Sequence, residues 1–207
     1  MIQLRLHSPH FLILALLLNG LGCQDHPTRV SSPTWRPQSL AQAALDHFDS
    51  NGDGTLDTTE LESAPALAAG AKLLDVDKDQ RVSAAELEQR FGTYKHLAVG
   101  RTSPAIRFLI NGQPLVNATV EFIPEPFLSD VIKPATATTN QQGLAYPQIQ
   151  GDPVPGLQVG YYRVQVSSAD GRVPPKYHDA TPLGVEISGT NDDPAGYSTF
   201  TFRLDGR

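Results

Sequence analysis

Twelve residues, Asp49-Ser50-Asn51-Gly52-Asp53-Gly54-Thr55-Leu56-Asp57-Thr58-Thr59-Glu60, constrain this chain more than any other stretch. Oxygen-bearing side chains stand at loop positions 1 (Asp49), 3 (Asn51), 5 (Asp53), 9 (Asp57) and 12 (Glu60). Gly54 occupies position 6 and apolar Leu56 position 8. The pattern D-x-[DN]-x-[DN]-G-x5-E is filled in every specified place. A hard divalent cation takes about six to eight oxygens, which a short loop supplies by winding round the ion. Gly54 permits the left-handed turn that points the backbone carbonyl of Thr55, position 7, inward. Glu60 can close the shell with both carboxylate oxygens. An acidic surface turn has a similar composition, but chance seldom fills all these slots together.

The spacing returns in Asp75-Val76-Asp77-Lys78-Asp79-Gln80-Arg81-Val82-Ser83-Ala84-Ala85-Glu86. Asp75, Asp77, Asp79 and Glu86 take positions 1, 3, 5 and 12, with Arg81 at the carbonyl position and Val82 at position 8. Gln80 stands where glycine belongs, and a side chain at positive φ costs on the order of 1 kcal/mol. Both stretches resemble EF-hand loops, and the resemblance implies Ca2+ as the bound ion. Leu56 and Val82 are expected to meet in a short antiparallel contact between the loops, as in paired EF-hands.

Helical periodicity surrounds the loops. Ser39 is placed to cap a helix with Leu40, Ala44, Leu45 and Phe48 on one face. Glu60 begins a short exit helix that Pro65 should end. Ala66–Leu74 and Ala84–Phe91 enter and leave the second loop. Phe48, Leu61, Leu74, Leu87 and Phe91 are the expected core. Sensor modules expose a methionine-rich groove, whereas the only methionine here is Met1. The ion is therefore expected to stabilise the fold rather than switch it. Without it, the 8 loop carboxylates would repel one another.

Residues 1–22 have the make-up of a secretory signal peptide: Arg5, an apolar run from Phe11 to Leu18, then small Gly20 and Gly22 before Cys23. Cys23 is the only cysteine, so no internal disulfide forms. Its position resembles the lipobox of bacterial lipoproteins, with Gly20 where a lipobox favours Leu. Two fates stay open: a lipidated Cys23 that anchors the chain to a membrane of the bacterial envelope, or plain secretion with a free thiol. Residues 23–38, with Pro27, Pro33 and Pro37, have the composition of an extended tether. Trp35 in that stretch reads either as an early core contact or as an exposed linker residue.

The net charge of -6 is uneven. Residues 39–92 hold 11 acids and 4 bases, hence -7, whereas 101–207 hold 10 and 8, hence -2. No basic stripe tracks a phosphate backbone, which excludes nucleic acid as the expected partner.

Past Gly100 the pattern changes to short alternating runs. Ile106–Ile110 precedes an Asn111-Gly112 turn, from which residues 118–123 are expected to return. Ala135–Thr139, Tyr161–Val166, Leu183–Ile187 and Ser198–Leu204 continue the strand spacing. This region resembles the carboxypeptidase regulatory-like, or transthyretin-like, β-sandwich of envelope lipoproteins. The residues that carry the resemblance are Asn111-Gly112-Gln113-Pro114-Leu115, the run Ala118–Pro124, Thr138-Thr139-Asn140-Gln141-Gln142-Gly143, and Gly160-Tyr161-Tyr162-Arg163-Val164-Gln165-Val166. Val173–Tyr177 and Thr181-Pro182-Leu183 complete it.

The expected architecture is α+β multidomain: a small all-α EF-hand pair over 39–97, then an all-β Greek-key sandwich over 102–205. No nucleophile can be paired with a base: His178 reads as a loop residue, and no Gly-x-Ser-x-Gly elbow is present. The chain is therefore not expected to be an enzyme. The functional expectation is calcium binding by an exported envelope protein. The competing class is a dockerin-like or adhesive module that grips a protein partner in a calcium-dependent way.

Overall fold

Two prolines decide where the first and third helices begin. A proline at the first helical position loses nothing, because that N–H has no intrahelical partner and φ is already set. In the computed structural model, which describes residues 30–189 and 199–206, α1 spans Pro37–Phe48 and α3 spans Pro65–Leu74, each with proline in its first turn. The expected Ser39 cap is thus corrected: Arg36 stands at the N-cap with no side-chain bond. Pro65 likewise starts a helix rather than ending one. Between them lie β1 (Thr55–Leu56) and α2 (Thr58–Leu61). β2 (Val82–Ser83) leads into α4 (Ala84–Leu97), which runs well beyond Phe91 and closes on Ala98 at φ 52.

The strands that follow are β3 (Ala105–Ile110), β4 (Gln113–Pro114), β5 (Thr119–Pro124), β6 (Ala135–Thr138) and β7 (Leu144–Ala145). β8 (Gly160–Ser167), β9 (Gly184–Ile187) and β10 (Thr199–Leu204) complete them. They form two sheets, β10-β3-β4 with β7 also on β3, and β6-β5-β8-β9. The Asn111-Gly112 turn has φ 50 and 78, the left-handed pair that a tight hairpin needs. Yet the return beside β3 is short: after Gln113 and Pro114 one more bond forms, Leu115 N to Phe108 O at 2.9 Å, while Phe108 N donates to Gly143 O instead. β5 crosses to the other sheet and pairs with β6 and β8.

The expected architecture, a small all-α pair followed by an all-β Greek-key sandwich, is not what the chain forms. Among the described residues most ordered elements are strands, in three sheets, against four α-helices. The helical stretch carries its own sheet, β1 with β2. β10 runs parallel to β3, which an antiparallel Greek key does not allow. Above all, helices and strands share one hydrophobic core, from Trp35 through Leu87 and Phe91 to Val166 and Leu204.

The reason lies in β8 and β9. Tyr162, Val164 and Val166 alternate inward, as a one-sided strand should. Tyr161, on the opposite face, is nevertheless 0% exposed, and Glu186, its cross-strand partner, is buried as well, at 8%. Both faces of the sheet are covered at this corner. Tyr161 meets Phe91 and Tyr94 at centroid distances of 6.2 Å each, and Trp35 stacks on Phe91 at 5.9 Å. Of the two readings of Trp35, the structure takes the core contact.

Residues 1–29, 190–198 and 207 lie outside the described residues, and with them the expected leader and Cys23. Among the described residues no helix is long and apolar enough to cross a membrane.

Candidate metal centre

The two acidic loops have the same backbone. Positions 4 and 6 are left-handed in both: Gly52 (φ 74) and Gly54 (φ 83), then Lys78 (φ 64) and Gln80 (φ 69). Gln80 therefore accepts the conformation its neighbour loop assigns to glycine, as does Lys78. The loops face each other through β1 and β2, with Leu56 opposite Val82 and Thr55 opposite Ser83. Leu56 and Val82 are buried and anchor the pair.

In the first loop Asp49 Oδ1 accepts from Gly52 N at 2.7 Å, and Oδ2 from Gly54 N at 2.8 Å. Asn51 Oδ1 accepts from Asp53 N at 2.8 Å. Asp53 Oδ1 accepts from Thr55 N and from Thr55 Oγ1, at 3.0 and 2.7 Å. Its other oxygen lies 2.6 Å from Arg81 Nη1. The Thr55 hydroxyl, and after it Arg81, hold the Asp53 carboxyl down to about 2.

Glu60 spans the loop. Oε1 accepts from Ser50 N (2.8 Å), Ser50 Oγ (3.1 Å) and Asn51 N (3.2 Å), while Oε2 accepts from Asp57 N at 3.0 Å. These bonds, the Asp57 amide foremost, lower its pKa. Asp57 itself serves the helix: its Oδ1 accepts from Thr59 N and Glu60 N, forming a capping box with Glu60.

The second loop repeats the design. Asp75 Oδ1 accepts from Asp79 N and Oδ2 from Gln80 N, at 3.1 and 3.0 Å. Glu86 Oε1 accepts from Val76 N, and Oε2 from Ser83 N and Ser83 Oγ, all at 2.8 Å. Burial pushes the Glu86 carboxyl up, but the Ser83 and Val76 bonds outweigh it and its pKa falls. Asp75, Asp77 and Glu86 each bring a carboxylate oxygen to within 4.8 Å of the others. Asp79 stands apart from that cluster, its Oδ1 accepting from Arg81 N at 2.8 Å.

The donors are all oxygen, from carboxylates, one amide and the position-7 carbonyls. That set suits a hard cation such as calcium and offers no soft ligand. The structure brings Asp75, Asp77 and Glu86 together, and turns Asp57 and Asp79 toward the backbone. The spacing carries no sign of Arg81's side-chain role, because position 7 contributes through its backbone carbonyl. Ser83, which bonds Glu86, carries the signal of an N-cap serine three residues ahead of it, whereas Ser50, which bonds Glu60, carries none.

Comparison of the chain with family models, with curated proteins and with solved structures returns no match.

Proposed function

We propose that this protein binds calcium at the two acidic loops, through Asp49, Asn51, Asp53 and Glu60 in the first and Asp75, Asp77, Asp79 and Glu86 in the second. The carbonyls of Thr55 and Arg81 complete the sets, and Asp57 stands at the position that often acts through water. The single observation that supports this reading is the convergence of Asp75, Asp77 and Glu86 within 4.8 Å, in a loop whose backbone repeats that of its neighbour. Calcium here is structural. It neutralises 8 carboxylates crowded into two short loops and so fixes the helices that enter and leave them. The leader composition and Cys23 support placing the chain outside the cytoplasm, lipid-anchored to the envelope.

The test is a calorimetric calcium titration of the full chain with Asp49→Asn and Asp75→Asn beside it. These aspartates lie outside the two capping boxes, so their loss separates ligand removal from helix-cap removal. Two binding transitions are expected, each deleted by its own variant. Absence of any heat up to millimolar calcium overturns the reading.

A further inference from the structure

The two glutamates buried between helices and sheet belong to neither loop. Glu186, on β9, takes the Tyr94 hydroxyl and Arg90 Nε on its Oε1, the latter at 2.7 Å, with Arg90 Nη2 at 2.6 Å. Both partners sit on α4, the helix that leaves the second loop. On its other side the same carboxylate faces α3: a Cβ built on Gly70 would stand 2.7 Å from Glu186 Oε2 and 2.8 Å from Tyr161 Cε1.

Glu125 is 0% exposed and follows β5. Its Oε1 accepts from Ala66 N at 3.0 Å, in the first turn of α3, where a helix presents free N–H groups. Its Oε2 accepts from Arg163 Nε, on β8, at 2.7 Å. Arg163 Nη2 in turn donates to Ser63 O at 3.0 Å, in the link between α2 and α3. Beside it the backbone of Gly184, the first residue of β9, lies against Pro65 and Ala66 with no room for a Cβ.

α3 is the segment that joins the end of the first loop to the start of the second. It is held at its N-terminus by Glu125 and Gly184, and at Gly70 it lies against the carboxylate that also grips α4. Through the same contacts it lies against β9, which stands last in the order β6-β5-β8-β9. An end strand held on one side has its outer N–H and C=O groups protected only by what packs on it.

We propose that filling or emptying of the two acidic loops is passed to strands β8 and β9 through the buried carboxylates of Glu125 and Glu186, so that this sheet edge is held only while the loops are held. This rests on the calcium reading of the loops. An emptied loop frees the ends of α3 and α4, and those two helices supply the Tyr94 and Arg90 partners of Glu186 and the Ala66 partner of Glu125. A buried carboxylate whose partner moves away is left uncompensated, which loosens the strand that carries it.

The experiment is amide hydrogen exchange on the full chain, in calcium and in chelator. Peptides over 49–60 and 75–86 report the loops, and peptides over 160–167 and 184–187 report β8 and β9. The expected result is that chelation speeds exchange in the loops and, by about tenfold or more, in 184–187. In Glu186→Gln the loops keep their calcium response while that of 184–187 shrinks. Tyr94→Phe, which removes one donor and keeps the ring, gives the same pattern more weakly and serves if Glu186→Gln does not fold. Loops that respond while β8 and β9 do not overturn this inference alone. Loops that ignore calcium overturn the calcium reading and this inference with it.

Discussion

The guanidinium of Arg81 leaves the second loop and closes on the Asp53 carboxylate of the first, Nη1 to Oδ2 at 2.6 Å, with Thr55 Oγ1 at 3.0 Å from the same nitrogen. One loop thus places a fixed positive charge on a proposed ligand of the other. The pair is exposed, so salt and solvent weaken it. It still opposes a cation that approaches Asp53.

Arg81→Gln should therefore tighten calcium binding at the first loop several-fold at low salt. The gain should shrink as salt rises, because the lost repulsion is screened. Calorimetry in an Asp75→Asn background reads the first loop by itself. Weaker binding instead would mean that Arg81 matters for holding Asp53 in place more than for its charge.

Gln80 and Gly54 occupy the same left-handed position, so glycine should relieve what glutamine bears. Gln80→Gly should raise stability by up to about 1 kcal/mol, reduced by the added freedom of the unfolded chain. Gly54→Ala, which meets nothing within 4 Å, should lose about 1 kcal/mol through backbone strain alone. Urea unfolding of both variants checks the pair, and a destabilised Gln80→Gly would show that the glutamine side chain holds the loop.

Gly184→Ala should destabilise by roughly 1–3 kcal/mol. Its φ is not left-handed, so the effect is one of space: the new methyl would run into the Pro65 carbonyl and Ala66 nitrogen, and backbone cannot swing aside. Gly92→Ala on α4, in open space, should instead stabilise by up to about 1 kcal/mol. Denaturation followed by the fluorescence of Trp35, the only tryptophan, distinguishes the two directions.

Acidification should act in two opposed ways. The Asp53, Glu60 and Glu86 carboxyls are lowered in the folded protein, so their contribution is present above the unfolded carboxylate range and is lost as pH falls through the folded values. Glu125 goes the other way. Burial raises it against the Ala66 and Arg163 bonds, so the folded state holds its proton more tightly, and stability falls as pH rises from the unfolded value through the folded one. Glu125→Gln should abolish this second trend, leaving a steeper loss of stability on acidification than in the parent protein. Thermal unfolding from pH 7 to pH 3 measures both slopes, and parallel curves would refute the assignment.

The loops were legible because each is written in twelve consecutive residues. Gly54 and the paired acids fix a local turn, and the repeat of that turn in the second loop sets Leu56 opposite Val82. Less of the ligand geometry was legible. Asp57 and Glu60 form a capping box, and a pattern of residue types cannot say whether a carboxylate serves an ion, a helix end or both.

What the sequence by itself determined is the pair of acidic turns, the proximity of the helices that flank them, and a β-rich second half. Only the tertiary structure decided that these parts share one core. Strand periodicity places Glu186 and Tyr161 on the face opposite the inward row of Tyr162, Val164 and Val166, a face that reads as solvent-exposed. Whether such a face meets water depends on what comes to cover it, and here the covering groups lie far off in the chain. Tyr94 reaches Glu186 across 92 positions, and Ala66 reaches Glu125 across 59. Burial is a property of two surfaces together, and a local pattern describes one of them.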